Sequence, residues 1–192
     1  ARVLVNRGLH SWKAMDAYIF PDMEKMYRPE LMKDLTKAAD ILVNAINDKI
    51  KIRVIGDYDV DGVTSTVILY KSLKALGANV FYYIPNRVTD GYGLNVNAIE
   101  RLIGKGMELL ITCDNGIAAI EEIKYPKEKG VDVVIYDHHE PVIKDDKEIL
   151  PEADSVTDAK IENCGYDFTV MCAGGLCYRV MKSFYEYLGQ KY

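Results

Sequence analysis

The chain has 192 residues, 49% of them apolar, and a formal net charge of −5. That length supports one sizeable core, and the longest apolar runs are strand-sized, too short for the roughly 20 residues of a membrane-spanning helix. The charge is uneven: residues 140–162 hold eight acids against three lysines, so the remainder is formally neutral. This argues against a broad basic face for duplex DNA, yet leaves room for a polyanionic substrate once divalent cations are bound. Cys113, Cys164, Cys172 and Cys177 form no CxxC pair. A zinc knuckle is therefore set aside, and free thiols in a reducing cytosol are expected. No signal-peptide pattern opens the chain, which is expected to be cytoplasmic with no membrane partner.

Residues 1–50 read as an N-terminal helical segment. Ser11 can cap a helix running to about Phe20, where Pro21 stops it. Pro29 marks a second start, and Leu31, Leu35, Ala38, Ala39, Leu42, Val43 and Ile46 follow helical spacing, which predicts a helix packed on a sheet edge. From Lys51 onward strand and helix patterns alternate: strand 51–56, helix 62–76, strand 79–84, helix 95–104, strand 108–113, helix 116–128, strand 131–136, a short extended piece near 153–157, and a last helix over about 170–188. This alternation predicts an α/β fold, a mostly parallel sheet between two layers of helices with right-handed crossovers. Residues 140–168, rich in Pro, Asp and Lys, read as a surface loop.

Three of these strands run straight into acids: Ile55-Gly56-Asp57-Tyr58-Asp59-Val60-Asp61-Gly62, Thr112-Cys113-Asp114-Asn115-Gly116 and Tyr136-Asp137-His138-His139. Ligands of open parallel sheets bind outside the strands' carboxyl ends. The pattern therefore gathers Asp57, Asp59, Asp61, Asp114, Asp137, His138 and His139 around one crevice. Five carboxylates in a small site repel one another unless cations neutralise them, and an admixture of imidazoles points to a divalent metal cluster and a metal-dependent hydrolase. An EF-hand loop spaces acids similarly, but it needs a preceding helix and a Glu at position twelve, where Ile68 stands. A phospho-receiver domain also sets acids at strand ends but has no use for paired histidines. Asp137→Ala is expected to abolish hydrolysis while relieving repulsion, so that the metal-free fold holds or gains stability.

Two further stretches bear on ligands. Pro85-Asn86-Arg87 and Gly91-Tyr92-Gly93 lie in the loop after the second strand. Gly91 and Gly93 would let backbone approach a ligand, while Arg87 and Tyr92 suit phosphate pairing and base stacking, so this loop is the candidate nucleic-acid contact. Ala173-Gly174-Gly175 could hold a phosphate on backbone N–H groups or serve close helix packing, and both readings stay open.

Together, Gly56 to Thr66, Tyr83 to Arg87, Gly91 to Asn95, Ile111 to Ile117 and Asp137 to Pro141 resemble the DHH phosphoesterase family, whose name is the triplet Asp137-His138-His139. Within that family the chain looks like the 5′→3′ single-strand-specific DNA exonucleases of recombination and repair. The resemblance implies a three-layer αβα catalytic domain with two divalent ions, Mn²⁺ or Mg²⁺. It implies Asp57, Asp59, Asp61, Asp114, Asp137 and His138 as metal ligands, and His139, with His138 and Asp137, in the chemistry at the scissile phosphate. Single-stranded DNA is the implied partner, with a repair helicase or single-strand-binding protein beside it, and a monomer is expected. Hydrolysis of short oligonucleotides, cyclic dinucleotides or pyrophosphate, and a non-catalytic scaffold role, are the alternatives within the family. The chain departs from the exonuclease pattern at Asn115, where a Cys is usual, and at Tyr136, where a Thr is usual. Relatives continue past Tyr192 into a further Asp ligand and a DHH-associated domain. Residues 51–192 are therefore expected to be a truncated DHH domain, weak or inactive alone.

Overall fold

The computed structural model describes residues 2–22, 27–91 and 93–192. Five parallel strands form the central sheet: β1 (Ile52–Ile55), β2 (Val80–Tyr83), β3 (Leu109–Cys113), β4 (Asp132–Tyr136) and β7 (Ser155–Thr157), in the spatial order β2-β1-β3-β4-β7. Every residue of β1, β3 and β7 is buried. Strands covered on both faces need near-continuous apolar runs rather than alternation, which is how Leu109-Leu110-Ile111-Thr112-Cys113 reads; β1 is interrupted by Arg53, which is buried with its guanidinium 4.3 Å over the Phe81 ring. Leu110, Ile111 and Val134 are fully excluded from water, so truncating any of them to Ala would cost about 2–5 kcal/mol.

The helices divide between the faces as right-handed crossovers require. The chain moves from β1 to β2 in one direction through α4 (Val60–Ala75), then returns past β1 to β3 through α5 (Val96–Gly104) and on to β4 through α6 (Ile120–Glu128). The reversal puts α4 on one face and α5 and α6 on the other. The last helix, α7 (Ala173–Tyr187), packs along α4, and α3 (Leu35–Asn47) packs against β7 and α7. One face of α3, with Leu35, Ala38, Ala39, Leu42 and Ala45, joins the same core as the sheet. Two short N-terminal helices, α1 (Arg2–Asn6) and α2 (Trp12–Ile19), bury none of their residues.

Most expected boundaries hold to within one to three residues, and the larger shifts have local reasons. The Ser11 hydroxyl accepts from Ala14 N and caps α2, as its position suggested. Pro29 opens only a 3-10 turn over Pro29–Leu31, and the long helix begins at Leu35 behind Asp34 in the left-handed region. The expected helix over 116–128 begins four residues later, because Gly116 at φ +114 holds a turn first. Within the expected 140–168 loop, β5 (Val142–Lys144) and β6 (Lys147–Ile149) form an antiparallel hairpin. Its two turn residues, Asp145 and Asp146, both take positive φ (52° and 58°), the geometry of a type I′ turn that short polar side chains tolerate.

Candidate metal centre

The strand order places the acids. In an order of this kind the chain leaves β1 toward one face and leaves β3 toward the other, which opens a crevice at their carboxyl ends. Ile55 pairs with Thr112, Cys113 with Tyr136, and Tyr136 with Thr157, so the strand ends are level. Asp57, Asp114 and Asp137, the first acids beyond β1, β3 and β4, therefore emerge side by side, and all three are buried. Carboxylate oxygens of Asp57, Asp59 and Asp114 lie within 4.8 Å of one another, and so do ligand atoms of Asp114, His138 and His139. Asp114 belongs to both groups.

The loop after β1 is packed so tightly that two glycines are obligatory. A Cβ on Gly56 would sit 1.9 Å from Thr66 Oγ1, and one on Gly62 would sit 2.5 Å from the backbone of Asp57. Asp59 caps α4, its Oδ1 accepting from Gly62 N at 2.9 Å, and Asp57 Oδ1 accepts from Tyr58 N at 2.8 Å. Asp61 faces another element altogether. Its two oxygens accept from Ala173 N and Gly174 N of α7, each at 2.8 Å, and Oδ2 also stands 3.6 Å from His138 Nε2. A carboxylate at a helix N-terminus is favourably placed. The Ala173-Gly174-Gly175 amides are thus turned to the chain's own side chains, since Gly175 N donates to Cys172 Sγ at 3.4 Å. A Cβ on Gly174 would come within 3.2 Å of Asp61 Oδ1, so the motif also serves close packing.

Asp114 adopts φ +60, a left-handed conformation that Asp tolerates, and its Oδ1 lies 3.1 Å from His138 Nε2. Burial, together with the charges of Asp61 and Asp59, pushes its carboxyl up to about 7. Asp137 organises the histidine turn. Oδ1 accepts from His138 N (2.8 Å) and His139 N (3.3 Å) and contacts His139 Nδ1 (2.7 Å), while Oδ2 accepts from Ile117 N (2.9 Å). The hydrogen bond that His139 makes to the Asp137 carboxylate raises the His139 pKa above its ordinary value, against the opposing effect of burial. The two imidazole rings lie 4.6 Å apart.

The loop over 84–95 leans on the crevice. The Arg87 guanidinium stacks 5.2 Å above the Tyr58 ring, between Asp57 and Asp59 in sequence. Asp90 ties the loop down by accepting from Asn86 N and Tyr83 OH, and those bonds hold its pKa below the usual carboxylate range. Gly91 and Gly93 take φ +81 and +78, and Gly93 lines a groove of about 290 Å³ with Asn115, Asp137 and His139. Tyr92 lies outside the described residues. All four cysteines are free, and only Cys172 is exposed.

Residue-by-residue sequence reading passed over Asp158, which follows β7 as Asp137 follows β4. It is fully buried, its Oδ1 accepts from Lys160 N at 2.8 Å, its Oδ2 has no partner among the described residues, and burial pushes its carboxyl up to about 7. The same strand-then-acid rule applied to Ser155-Val156-Thr157-Asp158 would have found it. An apolar cavity of about 140 Å³ between α3 and α7, bordered by Leu42, Tyr136 and Phe184, lies away from the acids.

A family model described as the N-terminal domain of the DHH family matches residues 51–192. The single-stranded-DNA-specific exonuclease RecJ of Bacillus subtilis (strain 168) is 38% identical over 94% of this chain, and the RecJ of Haemophilus influenzae is 35% identical over 83% of it. The chain spans 22% and 27% of the lengths of those two relatives. Among solved structures, an exonuclease RecJ bound to manganese superposes with a TM-score of 0.70 at 31% identity, over 83% of this chain and 39% of that one. The RecJ of Thermus thermophilus in complex with Mn²⁺ gives a TM-score of 0.66 at 29% identity, over 83% of this chain and 22% of that one. The family match over residues 51–192 and the 38% identity over 94% of the chain place this chain in the DHH family.

Proposed function

We propose that this chain carries the catalytic site of a metal-dependent exonuclease that hydrolyses single-stranded DNA from its 5′ end. One observation carries the reading: Asp114 is shared between an all-carboxylate group with Asp57 and Asp59 and a mixed group with His138 and His139. Two ligand sets joined by one carboxylate suit a pair of divalent ions. The donors fit the group, since oxygen with one or two imidazoles and no thiolate favours Mn²⁺ or Mg²⁺ over a structural zinc. Burial first, then the charges of Asp61 and Asp59, push Asp114 up to about 7, and such cations would offset both.

Asp57, Asp59, Asp61, Asp114, Asp137 and His138 would hold the ions, Asp114 belonging to both ligand groups and Asp61 contributing while anchored on α7. Bound divalent ions supply an activated water and neutralise charge on the scissile phosphate. His139, oriented through Nδ1 by Asp137, faces the crevice from the same turn and contacts the phosphate or protonates the leaving oxygen. Arg87 and the Gly91-Tyr92-Gly93 turn meet the strand beside the acids, and the Tyr58 ring pre-positions the Arg87 guanidinium. Among the described residues no helix is long and apolar enough to cross a membrane. The reading places the protein in the cytoplasm with its DNA. Every named ligand comes from one chain, so a monomer suffices, and a repair helicase or single-strand-binding protein is the partner class that supplies single strands.

The test is incubation of the protein with a 3′-labelled, 5′-phosphorylated single strand, the matching duplex and a panel of dinucleotides, each with Mn²⁺ or with chelator. Mn²⁺-dependent shortening of the single strand from its 5′ end is expected. Turnover of the dinucleotides alone would assign a different substrate to the same site, and an absence of both Mn²⁺ binding and metal-dependent hydrolysis would make the domain a scaffold.

A further inference from the structure

We infer that Lys160 forms a phosphate-binding subsite for the substrate strand beside the paired histidines, and that the Glu140 carboxylate occupies this subsite until the strand displaces it. The inference rests on the reading of the crevice as a nuclease centre. A groove of about 530 Å³ runs from His138 between the Glu140 turn and residues 169–172, so it opens directly from the metal crevice. Lys160 is the one lysine or arginine lining it among the described residues. Its Nζ lies 2.9 Å from a Glu140 oxygen.

The two partners differ in how they are held. The Lys160 side chain is 26% exposed, low for a residue type that normally extends into solvent, whereas that of Glu140 is 79% exposed. Lys160 is also braced from below, because its backbone N–H donates to the fully buried Asp158 at 2.8 Å, which fixes the turn that carries it. It lines the same groove as His138, the next residue after Asp137 in the histidine turn. The structure thus offers a largely covered ammonium beside the histidine turn, paired with a solvent-facing carboxylate. An ion pair so exposed on its acidic side adds little to folding, so exchanging Glu140 for another anion is cheap. A phosphodiester oxygen matches the requirement: it is anionic, accepts from an ammonium without needing a planar fork, and recurs along the strand. Val170, 84% exposed on the groove's far wall, leaves apolar surface where a sugar or base edge would lie.

The experiment is fluorescence anisotropy of a 3′-labelled single-stranded dodecamer with the wild-type chain, Lys160→Ala, Lys160→Arg and Glu140→Gln, in Ca²⁺ to permit binding while suppressing turnover, across a salt series. Lys160→Ala should weaken binding about 5- to 10-fold and reduce the slope of log affinity against log salt by about 0.7, the loss of one phosphate contact on a single strand. Lys160→Arg should retain most of the affinity. Glu140→Gln should tighten binding about 2- to 5-fold, because a competing anion is removed, and this variant leaves the Lys160 turn in place should Lys160→Ala fold poorly. If Lys160→Ala and Glu140→Gln both bind within about 1.5-fold of wild type, the subsite is refuted while the nuclease reading stands. If the wild-type chain fails to retain the single strand at all, the nuclease reading falls and takes the subsite with it.

Discussion

Replacing Asp114 by Asn tests the logic of the crowded crevice most directly. The substitution is nearly silent in shape: Asn tolerates the φ of +60 found at this position, and its amide oxygen can still accept from His138 Nε2. Its effect is electrostatic. Burial, then the Asp61 and Asp59 charges, move the Asp114 carboxyl from an ordinary 3.8 up to about 7. In the metal-free protein the folded state therefore keeps a proton that the unfolded state has already released, and stability falls as pH rises between those two values. Three pH units at 1.36 kcal/mol each set a ceiling of ~4 kcal/mol above pH 7, and relaxation of the more exposed Asp59 and Asp61 neighbours brings the expectation to ~2 kcal/mol. For a chain of this length that is a rise in melting temperature of about 4–8 °C for Asp114→Asn at pH 8 in chelator, vanishing near pH 4. Added Mn²⁺ should reverse the order, because the wild type gains binding energy that the variant loses. Thermal melts from pH 4 to 8.5, with chelator and with Mn²⁺, measure this. A variant that melts earlier than wild type at pH 8 in chelator, or an offset that does not change with pH, would refute the claim that these carboxylates repel.

Asp137→Ala should behave differently from the gain in stability that repulsion alone suggests. Asp137 accepts from the buried Ile117 N–H and from three groups of the histidine turn, so its removal strands a buried donor and should cost about 2–4 kcal/mol in chelator as well as abolishing hydrolysis. Urea denaturation checks it, and an unchanged midpoint would show that Asp137 is not the organiser of that turn. Asp158→Asn keeps the acceptor for Lys160 N while removing a buried acid whose carboxyl sits at about 7. Wild-type stability from this group is lost as pH climbs from about 4 to 7, so the variant should gain about 1–3 kcal/mol at pH 8 and nothing near pH 4. A loss at pH 8 would mean that Asp158 has a cationic partner in solution.

The primary structure by itself determined the element types and where the acids sit along the chain. Runs such as Leu109 to Cys113 must be buried on both faces, and a buried strand delivers the next residues to the sheet's carboxyl edge, so Asp57, Asp114 and Asp137 were legible as edge residues without coordinates. The Ser11 cap was equally local, since it serves an amide three residues ahead. Tertiary structure alone decided the neighbours. The order β2-β1-β3 sets the first acid loop against the second although β2 separates them in sequence, and only that adjacency makes Asp114 common to two ligand groups. Asp61 looks like its neighbours in sequence, yet it docks on amides 112 and 113 residues away, because α7 returns along α4. Lys160 reads as one lysine in an acidic stretch until β7 pairs with β4 and brings its turn beside His139. Local propensity acts over a few residues. These contacts follow from which strands pair and which way each crossover turns, and no local window of sequence contains that information.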